Sequence, residues 1–186
     1  MNVHGADESG WVEHYLDLYA DEDARRDGGK QSCFVTSTEL FERLREESLL
    51  DELVMGVYVY TEPRSSWMLL TILSGDHYFV VVETHSWWWS IELRDRLMVV
   101  QRGKDFSNVQ NRCRGRYRRH RLLQNGPLLL YHGVCARRSL YDVLVLACRQ
   151  GFFNGGGVSR HSPSLALVSF ICKECDVRQL SGTSRV

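Results

Sequence analysis

One stretch in the middle of the chain decides its fold: it reads HYFVVVETHSWWWSIE and runs from His77 to Glu92. Branched and aromatic residues dominate the first half, three tryptophans stand in the second, and His85-Ser86 forms a polar break between them. This composition is typical of β-strands. The stretch therefore predicts two neighbouring strands of one sheet, joined by a short turn.

The same β pattern continues on both sides of this pair. Strands are predicted at residues 57–60, 67–73, 77–84, 87–93 and 97–101, with short turn sequences between them. Closely spaced strands with short connections favour an antiparallel meander over alternating β–α–β units. A further strand is predicted at 128–131, directly after Gly126-Pro127.

Apolar residues at helical spacing predict helices before and after the sheet. Residues 8–20 form one predicted helix, and a second begins at Thr36–Glu39, where a capping box can join the two side chains to the helix amides. After the sheet, helices are predicted at 138–148 and from Ser162-Pro163 to Ile171. The predicted class is α+β: N-terminal helices, a central antiparallel sheet and C-terminal helices. Residues 1–178 are predicted to form a single domain, and residues 179–186 a flexible tail.

Length and composition narrow the classes of protein. The chain has 186 residues, of which 44 % are hydrophobic, enough for one domain with its own core. No apolar run approaches the roughly 18–20 residues that span a bilayer, and the acidic N-terminus does not resemble a secretory signal. The six cysteines are expected to stay reduced, as in the cytosol. We therefore expect a soluble cytoplasmic or nuclear protein, and no cofactor is predicted.

The stretch from His77 to Glu92 also carries a resemblance to known proteins. A His-aromatic-Phe strand followed by a Trp-Trp-Ser-Ile-Glu strand resembles animal proteins with a circularly permuted papain-like fold. Those proteins are distantly similar to lecithin retinol acyltransferase-like enzymes. The resemblance covers residues 75–170 and includes the segment 138–143. In that family the site combines a strand histidine, a polar residue on the neighbouring strand, and a cysteine in an Asn-Cys pair at a helix N-terminus.

Carried onto this chain, the resemblance implies that His77 is the base and that the nucleophile belongs at the helix beginning near Ser162. Ser162 stands at the cysteine position and His161 at the asparagine position. A serine is a far poorer nucleophile than a cysteine thiolate at neutral pH. The resemblance therefore implies that the catalytic half of the site is missing, and the predicted function is a non-catalytic protein-interaction module.

Two other interpretations of these residues stay open. In the first, Ser162 remains a nucleophile in a residual acyltransferase or hydrolase, with His77 as base and Glu92 or His85 as the orienting group. In the second, Ser162 is only the N-cap of a helix whose first residue is Pro163, a common way to begin a helix. His77 is then an ordinary hydrogen-bonded strand residue.

Two segments are candidate binding surfaces. Trp87, Trp88 and Trp89 divide between the two faces of a strand, so they either pack in the core with one indole at its rim or form an aromatic platform for a partner. The basic run 112–121 interleaves arginines with Tyr117, a pattern that suits phosphate contact and base stacking. Its candidate binding residues are Arg114, Arg116, Arg118 and Arg119. A zero net charge speaks against a dedicated nucleic-acid protein, so a solvated loop or one docked on the acidic N-terminal region is the alternative.

The pair Cys172 and Cys175 has the spacing of half a zinc site. A complete site needs two more ligands, and the chain offers no second pair with this spacing. The remaining candidates are scattered: Cys113, Cys135, His120 and His161. On a helix the two thiols would lie near one face as small apolar fillers, which is the interpretation we favour, so no metal site is predicted.

Overall fold

The structure is a computed structural model, and it describes residues 14–18, 32–46, 49–63, 76–94, 97–112, 127–135, 138–154 and 162–179. The predicted strand 67–73 and the basic run from Cys113 onward lie outside these ranges.

The described strands form one sheet. Their bounds are β1 His14–Leu18, β2 Ser32–Val35, β3 Val54–Pro63, β4 Asp76–Thr84, β5 Trp88–Arg94, β6 Leu97–Gly103, β7 Leu128–Val134 and β8 Arg178–Gln179. The order across the sheet is β2-β1-β6-β5-β4-β3-β7-β8. Strands β3 to β6 are antiparallel neighbours in chain order. The short connections from β4 to β5 and from β5 to β6 agree with the predicted meander, whereas residues 64–75 between β3 and β4 lie outside the described residues. Strand β1 pairs in parallel with β6.

The helices are α1 Ser37–Glu46, α2 Phe106–Arg112, α3 Leu140–Arg149 and α4 Pro163–Glu174, with a 3-10 turn at Phe152–Asn154. Capping side chains fix three of their starts. Thr36 and Glu39 form the predicted capping box, and Ser139 Oγ accepts a hydrogen bond from the Asp142 amide at 3.1 Å. Ser162 does the same for α4. Helices and a mainly antiparallel sheet in one chain confirm the α+β class.

The two faces of the central strands are covered by different helices. On the first, which we call the α4 face, residues such as Val80, Val82 and Ile91 join the main core with side chains of α1, α3 and α4. On the second, the α2 face, Phe79 and Val81 pack against Val109 of α2. Because side chains alternate along a strand, every position of β4 belongs to one of these faces. The faces therefore decide which site residues can meet.

Two predicted boundaries differ from the structure. Residues 14–18, placed in the first predicted helix, form β1 instead. Their backbone pairs with both β2 and β6, so tertiary pairing outweighs a local helical period. Gln179, assigned to the flexible tail, is the second residue of β8 and pairs with Gly133.

Candidate functional site

His77 lies near the start of β4 and its side chain belongs to the α2 face. It alternates with Phe79 and Val81, which pack on that face, and it is 6 % exposed. Directly opposite, on β3, stands Glu62. The buried imidazole is therefore held between strands rather than presented on an open surface.

A carboxylate from the next strand completes the contact. Glu92 of β5 is fully buried, and its Oε2 lies 2.8 Å from His77 Nε2. The ladder pairs Glu92 with Phe79, so His77 and Glu92 are diagonal neighbours on the same face. The structure thus joins His77 to Glu92, one of the two orienting groups suggested by the sequence. The other, His85, is exposed at the opposite end of β4.

Glu62 adds a second buried carboxylate to this pair. Its side chain is 3 % exposed, and one ligand atom from each of Glu62, His77 and Glu92 lies within 4.8 Å of the other two. Glu62 is not among the site residues predicted from the sequence. Alternation along β3 could have identified it, because Tyr58, Tyr60 and Glu62 recur at every second position and share one face.

Ser162 belongs to the other side of the sheet. Its Oγ accepts a hydrogen bond from the Leu165 amide at 3.4 Å, the N-cap contact of α4. Two residues later, buried Ser164 accepts one from the Tyr78 amide at 3.3 Å. Helix α4 packs on the α4 face through Leu167 and Ile171. Among the described residues, the His77 side chain hydrogen-bonds to Glu92 and to no serine, threonine or cysteine.

The three tryptophans have three different environments. Trp89 is fully buried on the α4 face, where its Nε1 donates to Thr84 Oγ1 at 3.3 Å. Trp88 packs on the α2 face against Phe106, with ring centroids 4.8 Å apart. Trp87 is half-buried beneath two cations: Lys104 Nζ lies 3.5 Å and the Arg102 guanidinium carbon 4.3 Å from its ring centroid. Core packing with Trp87 at the rim accounts for these contacts.

The cysteine pair lies at the end of α4. Cys175 is buried in the main core, and Cys172 is partly buried against it and accepts a hydrogen bond from the Tyr131 hydroxyl. Burial raises the pKa of both thiols, and the nearby Cys135 raises that of Cys175 further. Thiols that stay protonated in a core suit the role of apolar fillers. Cys135, Cys148, Cys172 and Cys175 are all free.

The other predicted site residues are not positioned by the structure. Arg114, Arg116, Arg118 and Arg119 lie outside the described residues, as does His161.

An apolar surface that the sequence analysis missed runs along one edge of the sheet. Leu128, Leu129 and Leu130 of β7 are 64 %, 44 % and 44 % exposed. A strand that is covered on one side should alternate apolar and polar residues. Three consecutive leucines depart from this alternation, and this departure in the sequence indicates that at least one of them is exposed.

None of the described helices combines the length and apolar character needed to cross a bilayer. Comparisons with protein-family models, with curated proteins and with solved structures found no match.

Proposed function

We propose that this chain is a non-catalytic protein-interaction module, derived from a papain-like cysteine acyltransferase or peptidase fold, that binds an extended segment of a partner protein along β7. The observation that carries the proposal is the exposed leucine run Leu128–Leu130 on that strand. An exposed, uncharged, apolar edge strand is a template for pairing with another chain, and soluble proteins normally protect such edges.

The backbone of β7 supports addition of a strand. One side of β7 pairs with β3, whereas β8 pairs with the other side only at Gly133 and Val134. Among the described residues, no strand pairs with the outer side of residues 128–132. Backbone N–H and C=O groups there can bind an incoming strand, and the exposed leucines can contact its side chains.

A pocket next to this edge supplies further apolar surface. Leu53, Met55 and Val134 line it and are between 42 % and 54 % exposed, and the pocket encloses about 550 Å³. Val134 is the last residue of β7, so the pocket lies at the end of this strand, beside the two residues that pair with β8. We therefore expect the bound segment to carry alternating apolar residues, with one large side chain for the pocket.

The geometry of β7 favours a different protein over a second copy of this chain. Val59 pairs with Tyr131 and Tyr60 with Leu129, so Leu130 is an extra residue without a partner on β3. Such a β-bulge bends and twists an edge strand and disfavours regular edge-to-edge pairing. Two bulged strands would have to accommodate both bulges, whereas a flexible segment can adapt to one.

Two arrangements support binding over catalysis. The side chain of His77 belongs to the α2 face, whereas Ser162 begins a helix that packs on the α4 face. The Ser162 hydroxyl also has a structural role as N-cap. Free thiols fit a reducing compartment, and we propose a cytoplasmic or nuclear location on that basis.

The proposal can be tested with a displayed library of random peptides selected on the full chain. Enriched peptides should carry alternating apolar residues, and on binding they should shift the NMR amide signals of residues 128–132. Leu129→Lys places a charge on the edge and should weaken binding about tenfold or more, which is roughly 1.4 kcal/mol. Leu165→Lys is the matched control, since Leu165 is a comparably exposed leucine on α4.

Three results would contradict the proposal. These are no enrichment of any peptide, equal binding to both lysine variants, or shifts confined to other elements. Sedimentation velocity gives an independent check: a wild-type dimer that Leu129→Lys converts to monomer would assign the edge to a second copy instead.

A further inference from the structure

Three adjacent strands each direct one metal-binding side chain to the same place on the α2 face. Glu62 of β3 pairs across the ladder with His77 of β4, and Glu92 of β5 lies diagonal to His77. One donor atom from each of the three lies within 4.8 Å of the others. Among the described residues, this is the group whose histidine, cysteine and acidic side chains come close enough to share one ion. The cluster owes its geometry to strand register, which holds side chains more firmly than a loop does.

All three side chains of this cluster are shielded from water. The exposed fractions of Glu62, His77 and Glu92 are 3 %, 6 % and 0 %. A divalent cation would be a common partner for the two carboxylate groups and the imidazole nitrogen.

The donor set indicates the kind of ion. Imidazole nitrogen together with carboxylate oxygen suits zinc and neighbouring transition metals, whereas an all-oxygen set would favour magnesium or calcium. Three protein ligands leave at least one coordination position for water.

A separate observation indicates that this face is incomplete as it stands. Gln101 of β6 is fully buried, and neither its Oε1 nor its Nε2 has a hydrogen-bond partner among the described residues. It pairs with Ser90, two residues before Glu92, and therefore lies on the same face one strand further along. An unsatisfied buried amide costs roughly 1–3 kcal/mol. A metal-bound water is the kind of group that it could hydrogen-bond.

We infer that Glu62, His77 and Glu92 bind one divalent transition-metal ion of the zinc class. The ion would join three central strands at the face opposite α4. It is independent of the proposed binding edge, because β7 contributes no ligand to it.

The test titrates the full chain, purified in the presence of a chelator and then freed of it, with Zn²⁺ and Co²⁺. We expect one equivalent to bind and the melting temperature to rise with metal concentration. Glu62→Gln and Glu92→Gln should each weaken metal binding at least about tenfold. Replacing a residue that only hydrogen-bonds a metal ligand already lowers metal affinity by about that factor. Glu83→Gln should bind as wild type does, because Glu83 occupies the same strand and face as His77 but hydrogen-bonds Tyr58 instead.

The absorption spectrum of bound Co²⁺ also distinguishes binding at this site from binding at the cysteines, and it needs no variant. Ligation by nitrogen and oxygen gives weak visible bands, whereas thiolate ligation adds an intense near-ultraviolet charge-transfer band. That intense band would assign the ion to the cysteines and overturn the inference. Failure of folded wild type to take up one equivalent of metal would overturn it too.

Discussion

The Glu39 carboxylate accepts hydrogen bonds from both the backbone amide and the hydroxyl of Thr36, at 2.7 and 3.1 Å. The Thr36 hydroxyl in turn accepts one from the Glu39 amide at 3.2 Å. The first two bonds, with the nearby Arg43, hold the pKa of Glu39 below its ordinary value of 4.5. A fully exposed side chain thereby fixes where α1 begins.

This capping box predicts a contribution to stability that depends on pH. Because the folded-state pKa is depressed, the stabilisation is present above pH 4.5 and is lost as pH falls through the lowered value. Between about pH 5 and 3, the melting temperature of wild type should therefore fall more steeply than that of Glu39→Gln, whose side chain stays neutral throughout. Circular dichroism melts at several pH values measure this.

The control for that measurement is Glu42→Gln, which removes an exposed acid from the same helix. Its melting curve should follow the wild-type pH dependence. Parallel pH profiles for Glu39→Gln and wild type would show that the capping contacts contribute nothing measurable.

At the candidate site, only some of the side chains can be predicted from the sequence. His77 and Glu92 could be selected because both stand in one recognisable pattern and on neighbouring strands. Alternation places Glu62 on one face of its strand, but the meeting of Glu62 and Gln101 with His77 and Glu92 depends on which strands pair and in what register. Glu62 lies on the strand before the stretch His77–Glu92, and Gln101 lies on the strand after it. The sequence alone does not specify how these two strands pair with that stretch.

At the scale of elements, α4 is the helix on which the two interpretations of Ser162 differ. If Ser162 is an N-cap, Ser162→Ala should cost about 1 kcal/mol of unfolding free energy, and Ser162→Asp should restore it because aspartate caps as well and complements the helix dipole. Urea unfolding followed by circular dichroism measures both variants.

Ser139→Ala is the matched control, because Ser139 caps α3 through the same kind of contact and should cost a similar amount. Labelling by a serine-directed covalent probe adds a readout of chemistry. A wild-type signal that both Ser162 variants abolish would establish a nucleophile at this position, and a stability loss that aspartate fails to restore would count against the cap.

The central strands can be predicted from the sequence more readily than β1, which has the spacing of a helix, and the reason is physical. Strands β4 and β5 are buried on both faces, so they read as dense runs of branched and aromatic residues. The segment 14–18 is short, and its pairing with β6 is set by residues far along the chain. Its local helical spacing therefore predicted the wrong element.

Across the whole molecule, burial differs sharply between the centre of the sheet and its β7 edge. Val80, Val81 and Val82 of β4 are fully buried, whereas Leu128–Leu130 of β7 are largely exposed. Backbone amides in β4 should therefore exchange with solvent only through global unfolding, while those of β7 should exchange through local opening.

Hydrogen exchange followed by mass spectrometry tests this order on the isolated chain. Peptides covering residues 76–84 should take up deuterium far more slowly than peptides covering residues 128–134. Mild denaturant should accelerate exchange in the first group more strongly, because global opening exposes more surface than local opening. Equal protection of the two strands would contradict this picture of the edge.

The parallel pairing of β1 with β6 has a consequence for how the chain reaches this structure. Tyr15 and Leu16 pair with Val99 and Val100, so these contacts close a very long loop. The pairing of β3 with β7 also joins segments that are far apart in the chain. The β4–β5–β6 meander needs only neighbouring residues. Contacts between distant parts of a chain slow folding because loop closure must precede them. We therefore expect the meander to form first during synthesis, and the pairing of β1 with β2 and β6 to form late, as the slow step.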